Sequence, residues 1–290
     1  MNIKTKADRV IDIFLYIIMA LVIVVSVYPI WYVLVASFSD NEAVASGQVM
    51  FWCKNFNLES YKSVFSNDGI WVSYGNTFFY SFFGTLVNMY LTVTCAYALS
   101  KKWLFGRRFL TLFIMLSMWF GAGMIANFMN FRDLGINNNR WGMLLIGAIS
   151  AYNVILMRSF FESVPAAVDE SARIDGASEF TILWKIYLPL SKAALMTISL
   201  YYFVSHWNSF FWSMVLLEDE SLIPLQVLLQ KLVVKMDTMN NAGGAMDYTV
   251  VSRETVVYAT MVVAILPMLV VYPFVQKFFV KGVTLGAVKE

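Results

Sequence analysis

The sequence predicts an all-α membrane protein with six transmembrane helices, and three observations carry that expectation. Hydrophobic residues make up 59% of the 290 residues, against about 45–50% in soluble proteins, more than a soluble domain of this size can hide from water. Charged residues are only 14% and aromatic residues reach 17%; Trp and Tyr collect at the headgroup level of a bilayer. Six stretches are free of Asp, Glu, Lys and Arg, and a helix crosses the hydrocarbon core with about 20 mostly apolar residues.

The spans fall at about 13–37, 76–99, 109–130, 141–158, 192–216 and 255–277. The chain, 1–290, reads as a single transmembrane domain. Lys4, Lys6 and Arg9 precede the first span, but the apolar run is too long for a signal h-region and no small-residue cleavage site follows in a polar context, so it reads as a retained anchor. The fourth span is the shortest; Trp141 and Arg158 can sit at its two interfaces. Lys and Arg set the orientation. The loop from Lys101 to Arg108 carries four positive charges and no negative one, which places it, and with it both termini, in the cytoplasm.

Three connections are long enough to fold locally. The outer loop from Asp40 to Asp68 is mixed polar and aromatic. The outer segment from Glu218 to Glu254 begins with Pro224, suited to a first helical turn, and Leu225, Leu228, Leu229 and Leu232 share one helical face; Asn240 to Gly244 reads as turn or loop. The third is the inner segment 163–189.

Several function classes fall away. The net charge of +2 does not suggest a nucleic-acid binder. Two cysteines, Cys53 and Cys95, exclude a disulfide framework, and with the lone His206 they leave little for a metal centre or a Ser-His triad. No Gly-Lys-Ser/Thr phosphate loop occurs, so the chain does not hydrolyse ATP in the usual way.

The inner segment carries the most information. Pro165 can open a helix, with Asp169 and Glu170 early in it, where the dipole favours acids. Val168, Ala172 and their small neighbours give a smooth side. Gly176 can take the left-handed conformation that stops a helix, and Ser178 can cap the next. Phe180, Leu183, Trp184 and Tyr187 repeat at helical spacing until Pro189 interrupts. The expectation is two short helices at a sharp angle, an elbow that another protein can approach closely.

This segment resembles the EAA loop of ABC importer permeases: Glu-Ala-Ala, three residues, Gly, nine residues, then Ile-x-Leu-Pro. Here Glu170-Ser171-Ala172 is followed at matching spacing by Gly176 and by Ile186-Tyr187-Leu188-Pro189, with Ser171 the one departure. The tail from Gln276 to Lys289 and the run His206-Trp207-Asn208-Ser209-Phe210 resemble maltose-type sugar permeases, most of all the branch serving oligosaccharides. The third span departs: glycines within Met118–Gly123 stand where the family has a proline.

The resemblance implies a type I ABC importer permease fold with cytoplasmic EAA coupling helices, in a bacterial cytoplasmic membrane. It implies as partners a second, different permease subunit, two ATPase subunits and an extracellular solute-binding protein that delivers the oligosaccharide; no nucleic acid is involved. ATP and Mg belong to the ATPase subunits, and this chain binds no cofactor and catalyses no reaction. Glu170, Ser171, Ala172, Arg173, Asp175, Gly176 and Ala177 are the implied ATPase contacts. The tail, 278–290, is implied to run as an extended chain between the ATPase subunits through Lys281, Gly282, Thr284 and Gly286.

A polar amide within a span usually faces the protein interior, which nominates Asn208, with Trp207 and Phe211 beside it, for the sugar path. His206 is expected to hydrogen-bond a neighbouring helix, and Asn88 and Asn153 to hold helices together. An ion-coupled transporter or channel without ATPase partners would need ionisable residues within the spans, and the six windows hold only His206. A membrane enzyme lacks a cluster of acids, bases or ligands. A scaffold leaves the spacing from Glu170 to Pro189 unexplained.

Overall fold

The computed structural model describes residues 6–241 and 254–287. Among them there are helices, turns and loops, and no strand. The chain divides into two compact units, Met1–Trp71 with Leu229–Leu266, and Val72–Leu228 with Pro267–Glu290.

In the first unit, α1 (Lys6–Ser37) runs unbroken through the first expected span. Its stretch Ile11–Ser37 is long and apolar enough to cross a bilayer, and the window that qualifies it is entirely unburied, as suits a surface solvated by lipid. Its C-terminal end is different. Val35 and Ala36 pack with Ala43, Val44 and Val49, around the short α2 (Asn41–Ala45), and Ser37 shares a 2.8 Å hydrogen bond with Tyr61 of α3 (Glu59–Phe65).

The second unit is built on α4 (Asp68–Ser100), the other helix long and apolar enough to span. Its polar side chains act as ties. Asn76 Nδ2 donates to the Ser221 and Ile223 carbonyls at 2.7 and 3.1 Å, and Thr77 Oγ1 accepts from Leu225 N at 2.7 Å. The latter bond satisfies one of the orphan donors that every helix start leaves, here in α13 (Leu225–Asn241). The expected amphipathic helix is thus present, with Leu225, Leu229 and Leu232 buried. Asn240 and Asn241 close it as helix, where turn or loop was expected; Ala242, Gly243 and Gly244 lie outside the described residues.

Three expected spans are interrupted. The third is split into α5 (Arg107–Leu116) and α6 (Met124–Asp133). Gly123, at φ +81°, takes a backbone conformation closed to most L side chains and stands at the break, just before α6. The fourth is a 3₁₀ turn, Gly142–Leu145, then an irregular stretch around Gly147 at φ +66°, then α7 (Ala151–Glu162). The fifth is α11 (Lys192–Trp207) and α12 (Phe211–Leu216), parted at Asn208–Phe210. A charge-free window reports solvation, not helix continuity, which is why the sequence does not foresee these breaks. The sixth lies within α14 (Glu254–Ala287), a helix holding Pro267 and Pro273. Its backbone stays helical through Ala287, so the tail is not extended as expected; the side chains of Lys281 and Thr284 lie outside the described residues.

Candidate functional site: a latched elbow and a polar cleft

The elbow forms where the sequence places it. α8 (Ala166–Ile174) ends at Gly176, φ +76°. Ala177 N donates to Ala172 O and Gly176 N to Arg173 O, both at 3.0 Å, the paired bonds of a Schellman stop. Ser178 then caps α9 (Glu179–Ile182), its hydroxyl accepting from Thr181 N. A π-helical turn, Leu183–Tyr187, leads into α10 (Leu188–Leu190). Pro189 has no N–H for the Lys185 carbonyl, which fits a locally widened turn. One expectation changes here. Phe180, Leu183, Trp184 and Tyr187 do not share a face: Leu183 and Tyr187 are buried in the core, while Phe180 and Trp184 are exposed and packed on each other with ring centroids 5.7 Å apart.

The elbow is held from within by charges. Lys101, at the end of α4, is 4% exposed. Its Nζ lies 2.6 Å from Asp169 Oδ1 and 3.0 Å from the Tyr187 hydroxyl. The Tyr97 and Tyr187 rings face the same ammonium at 4.4 and 4.1 Å, close enough for cation–π attraction. Arg173 joins Asp169 at 3.1 Å and Glu179 at 2.6 Å, bridging the two arms of the elbow. Tyr97 donates to Glu179 Oε2 at 2.7 Å. Partial burial pushes the Asp169 carboxyl up, but hydrogen bonds from Lys101 and Arg173, with their charges, outweigh it and hold it below the usual carboxylate range. The Arg173 guanidinium is raised, first by its bond to Asp169.

Glu170, Ser171, Asp175 and Gly176 are exposed, Arg173 and Ala177 are half-buried, and Ala172 is buried. Ala172 therefore belongs to the elbow's own core and not to its outer surface. The exposure of three apolar groups was not foreseen: Ile174, 85% exposed, lies two residues before Gly176, and Phe180 and Trp184, also exposed, follow the turn in the chain. An isoleucine two residues before a helix-stopping glycine was the signal available. The role of Lys101 was missed as well; the sequence places it only among the four positive charges of the basic loop.

A second feature lies where the broken helices meet. A cleft of about 700 Å³ is lined by Asn88, Asn127, Tyr152, Asn153, Ser205, His206, Ser209 and Trp212 among others. The described lining contains amides, hydroxyls and aromatic rings, and no Asp, Glu, Lys or Arg. Asn88 Nδ2 donates to Gly147 O at 3.0 Å and its Oδ1 lies 3.4 Å from His206 Nε2, so both residues bind neighbouring segments as expected. Gly84 permits this approach: a Cβ there would lie 2.6 Å from His206 Nε2. Tyr202 ties the cleft's floor, its hydroxyl 2.7 Å from Thr92 Oγ1 and accepting from Ser150 N at 3.1 Å.

The structure separates the three residues nominated for the sugar path. Trp207 is 2% exposed, packed on Phe203 and edge-on to Tyr74. Asn208 ends α11 and is exposed, and Phe211 is exposed at the start of α12. None of the three lines the cleft; Ser205, His206, Ser209 and Trp212 do. Which ring faces inward is decided by the break at Asn208–Phe210, which helical periodicity does not foresee.

Comparison with known proteins agrees over nearly the whole chain. A family model described as "Binding-protein-dependent transport system inner membrane component" matches residues 69–285. The chain is 36% identical over 286 residues to Protein LplC of Bacillus subtilis (strain 168), covering 99% of this chain and 97% of that one. It is 37% identical over 283 residues to the polygalacturonan/rhamnogalacturonan transport system permease protein YtcP of the same organism, covering 97% and 99%. A crystal structure of a bacterial ABC transporter involved in the import of the acidic polysaccharide alginate contains a similar chain, with TM-score 0.87 and 41% identity over 96% of this chain and 100% of that one.

Proposed function

We propose, from the premise that this chain belongs to the family of binding-protein-dependent transport system inner membrane components, that it forms half of the membrane path of an ATP-driven oligosaccharide importer and couples that path to ATP hydrolysis through its elbow. It is a non-catalytic permease component, and ATP hydrolysis belongs to separate ATPase subunits, which would also hold the ATP and Mg. Its partners are a second permease subunit, a pair of ATPase subunits and an extracellular solute-binding protein.

The observation that carries the coupling reading is the geometry of the elbow. The elbow exposes Ile174, the packed pair Phe180 and Trp184, and a glycine turn with no side chain; exposed apolar groups of this kind mark a protein contact. Its inner surface is fastened to α4 through Lys101 and Asp169. A push on the elbow is thereby delivered to a membrane helix. ATP binding, by favouring the closed ATPase dimer, would bias a two-state permease through this contact. The basic loop from Lys101 to Arg108, adjoining the elbow in the network, supports a cytoplasmic position for both and for the termini.

Six membrane crossings remain the reading, three of them made by broken helices. Irregular backbone at membrane depth is tolerated where it is buried in protein or lines a water-filled cavity. The breaks near Gly147 and Asn208–Phe210 border the polar cleft, which supports a hydrated path there. Rings and amides without fixed charge suit sugar faces and hydroxyls. The polysaccharide names attached to the relatives support an oligosaccharide cargo. The tail, around Lys281, Gly282, Thr284 and Gly286, is assigned to contact with the ATPase subunits on family resemblance alone.

The test is a single cysteine at Ile174 in an otherwise cysteine-free assembled importer, reacted with a short bifunctional thiol linker. Cross-linking to an ATPase subunit that changes with bound nucleotide is expected. Cross-linking to no ATPase subunit in any nucleotide state would refute the coupling reading.

A further inference from the structure

We propose that this chain holds an anionic phospholipid headgroup in a basic cleft between the Lys101–Arg108 loop and α7. The cleft has a volume of about 680 Å³ and is bordered by Lys102, Arg107, Arg108 and Arg158. It shares no lining residue with the polar cleft, while Lys102 and Arg107 also border a neighbouring cleft that reaches Asp169, Glu170 and Arg173 of the elbow.

The charge count inside it is unbalanced. Arg107 and Arg158 both bind the single carboxylate of Glu162, Arg158 through Nε at 2.9 Å. Arg107 Nε also donates to Leu99 O at 2.8 Å, and Arg158 Nη1 to Thr111 Oγ1 at 2.7 Å. These two guanidinium groups are therefore fixed in place. Lys102 and Arg108 are exposed, and no carboxylate pairs with either among the described residues. Four cations against one anion leave a site short of negative charge. Fixed guanidinium groups suit a phosphate, whose oxygens accept bidentate bonds.

The rest of the lining says which phosphate. Leu104, Leu112 and Met115 form an apolar side. α5 continues from there with no buried residue, and Phe109, Phe113 and Leu116 stand exposed on it. A free phosphate or an acidic protein loop has no use for that surface. A phospholipid does, with its phosphodiester among the cations and an acyl chain along α5. Basic pockets beside transmembrane helices on the cytoplasmic side are suited to anionic headgroups. The occupant is thus a lipid of net negative charge such as phosphatidylglycerol, and it pins the start of α5 to α7.

The experiment is native mass spectrometry of the assembled importer in detergent, titrated with dioleoyl phosphatidylglycerol or dioleoyl phosphatidylcholine. Retention of phosphatidylglycerol over phosphatidylcholine is expected. The K102Q/R108Q importer should lose it roughly twenty-fivefold, from about fivefold per exposed cation. K54Q/K62Q, which removes the same charge from exposed positions elsewhere in the chain, should bind as wild type. Millimolar inorganic phosphate should leave retention unchanged. Equal retention of the two lipids, equal loss in both double variants, or displacement by free phosphate would each overturn the proposal. The readout requires no transport, so it stands or falls separately from the coupling reading.

Discussion

Lys101 and Asp169, 68 positions apart in the chain, meet as an ion pair of 2.6 Å with side chains only 5% and 17% exposed. Removing one partner of a buried pair costs about 3–5 kcal/mol, because the other charge is left without compensation. Asp169 keeps Arg173, so K101M should fall toward the lower end, about 3 kcal/mol. The thermal midpoint of the purified importer measures this. K101M/D169N should recover much of the loss, since it removes both charges. In both variants the fastening between α4 and the elbow is gone, so ATP hydrolysed per sugar imported should rise even where stability returns. A double variant with wild-type coupling would show that the pair serves folding alone.

The same carboxylate sets a pH dependence. Asp169 is held below the ordinary range by Lys101 and Arg173 in the folded chain, while unfolded it titrates near pH 4. A depressed native value contributes stability that is fully present above the unfolded value and is lost as pH falls through the native one. The stability difference between wild type and D169N should be constant from neutral pH down to about 4, then shrink as the solution is made more acidic. Thermal midpoints across that range check it. A difference that shrinks already between pH 7 and pH 5 would place the titrating group elsewhere.

Gly176 separates fold from docking. Its φ of +76° strains any side chain, yet a Cβ there meets no atom of this chain within 4 Å. Asparagine enters the left-handed region more easily than branched residues do. G176N should therefore leave the thermal midpoint nearly unchanged, whereas G176V should cost about 1–2 kcal/mol of backbone strain. Both fill the space an approaching ATPase subunit would use, so uptake should fall in both by at least tenfold. Normal uptake by G176N would remove the close-approach role and leave Gly176 a helix stop.

The contrast between Gly176 and Lys101 shows what the sequence carries. The glycine turn, the Ser178 cap and the order of the short helices are local, written within a few residues, and they form as expected. The partner of Lys101 is not local, and nothing in the basic loop distinguishes a lysine that faces water from one sealed between Tyr97 and Tyr187. The stripe from Phe180 to Tyr187 failed for a related reason: a π-helical turn at Leu183–Tyr187 shifts the faces that a regular period assigns. The interrupted spans were legible only in part, through Gly121 and Gly123, because lipid solvation selects composition while helix continuity depends on what fills the gap.

Trp212 and Ser209 offer the sharpest test of the cleft as the sugar path. Trp212 is held edge-on by Phe131 at 5.0 Å and by Phe211 at 5.2 Å, so its ring enters the cleft wall already oriented. A preorganised ring loses little freedom on meeting a flat sugar face. Ser209 adds a hydroxyl at the break between α11 and α12, and His206 and Asn88 lie along the same wall. W212A should raise the sugar concentration for half-maximal uptake roughly tenfold, about 1.4 kcal/mol of lost binding. It should also leave stimulation of the ATPase by the loaded solute-binding protein in place, because the elbow is untouched. S209F, which fills the cleft, should lower maximal uptake instead. N208A, outside the lining, should do neither; F211A should raise the half-maximal concentration less than W212A does, by freeing the ring it orients; and W207A should act through stability, since Trp207 is 2% exposed and packed on Phe203. If N208A abolishes uptake while W212A and S209F do not, the path runs along the outer face of the break and not through the cleft.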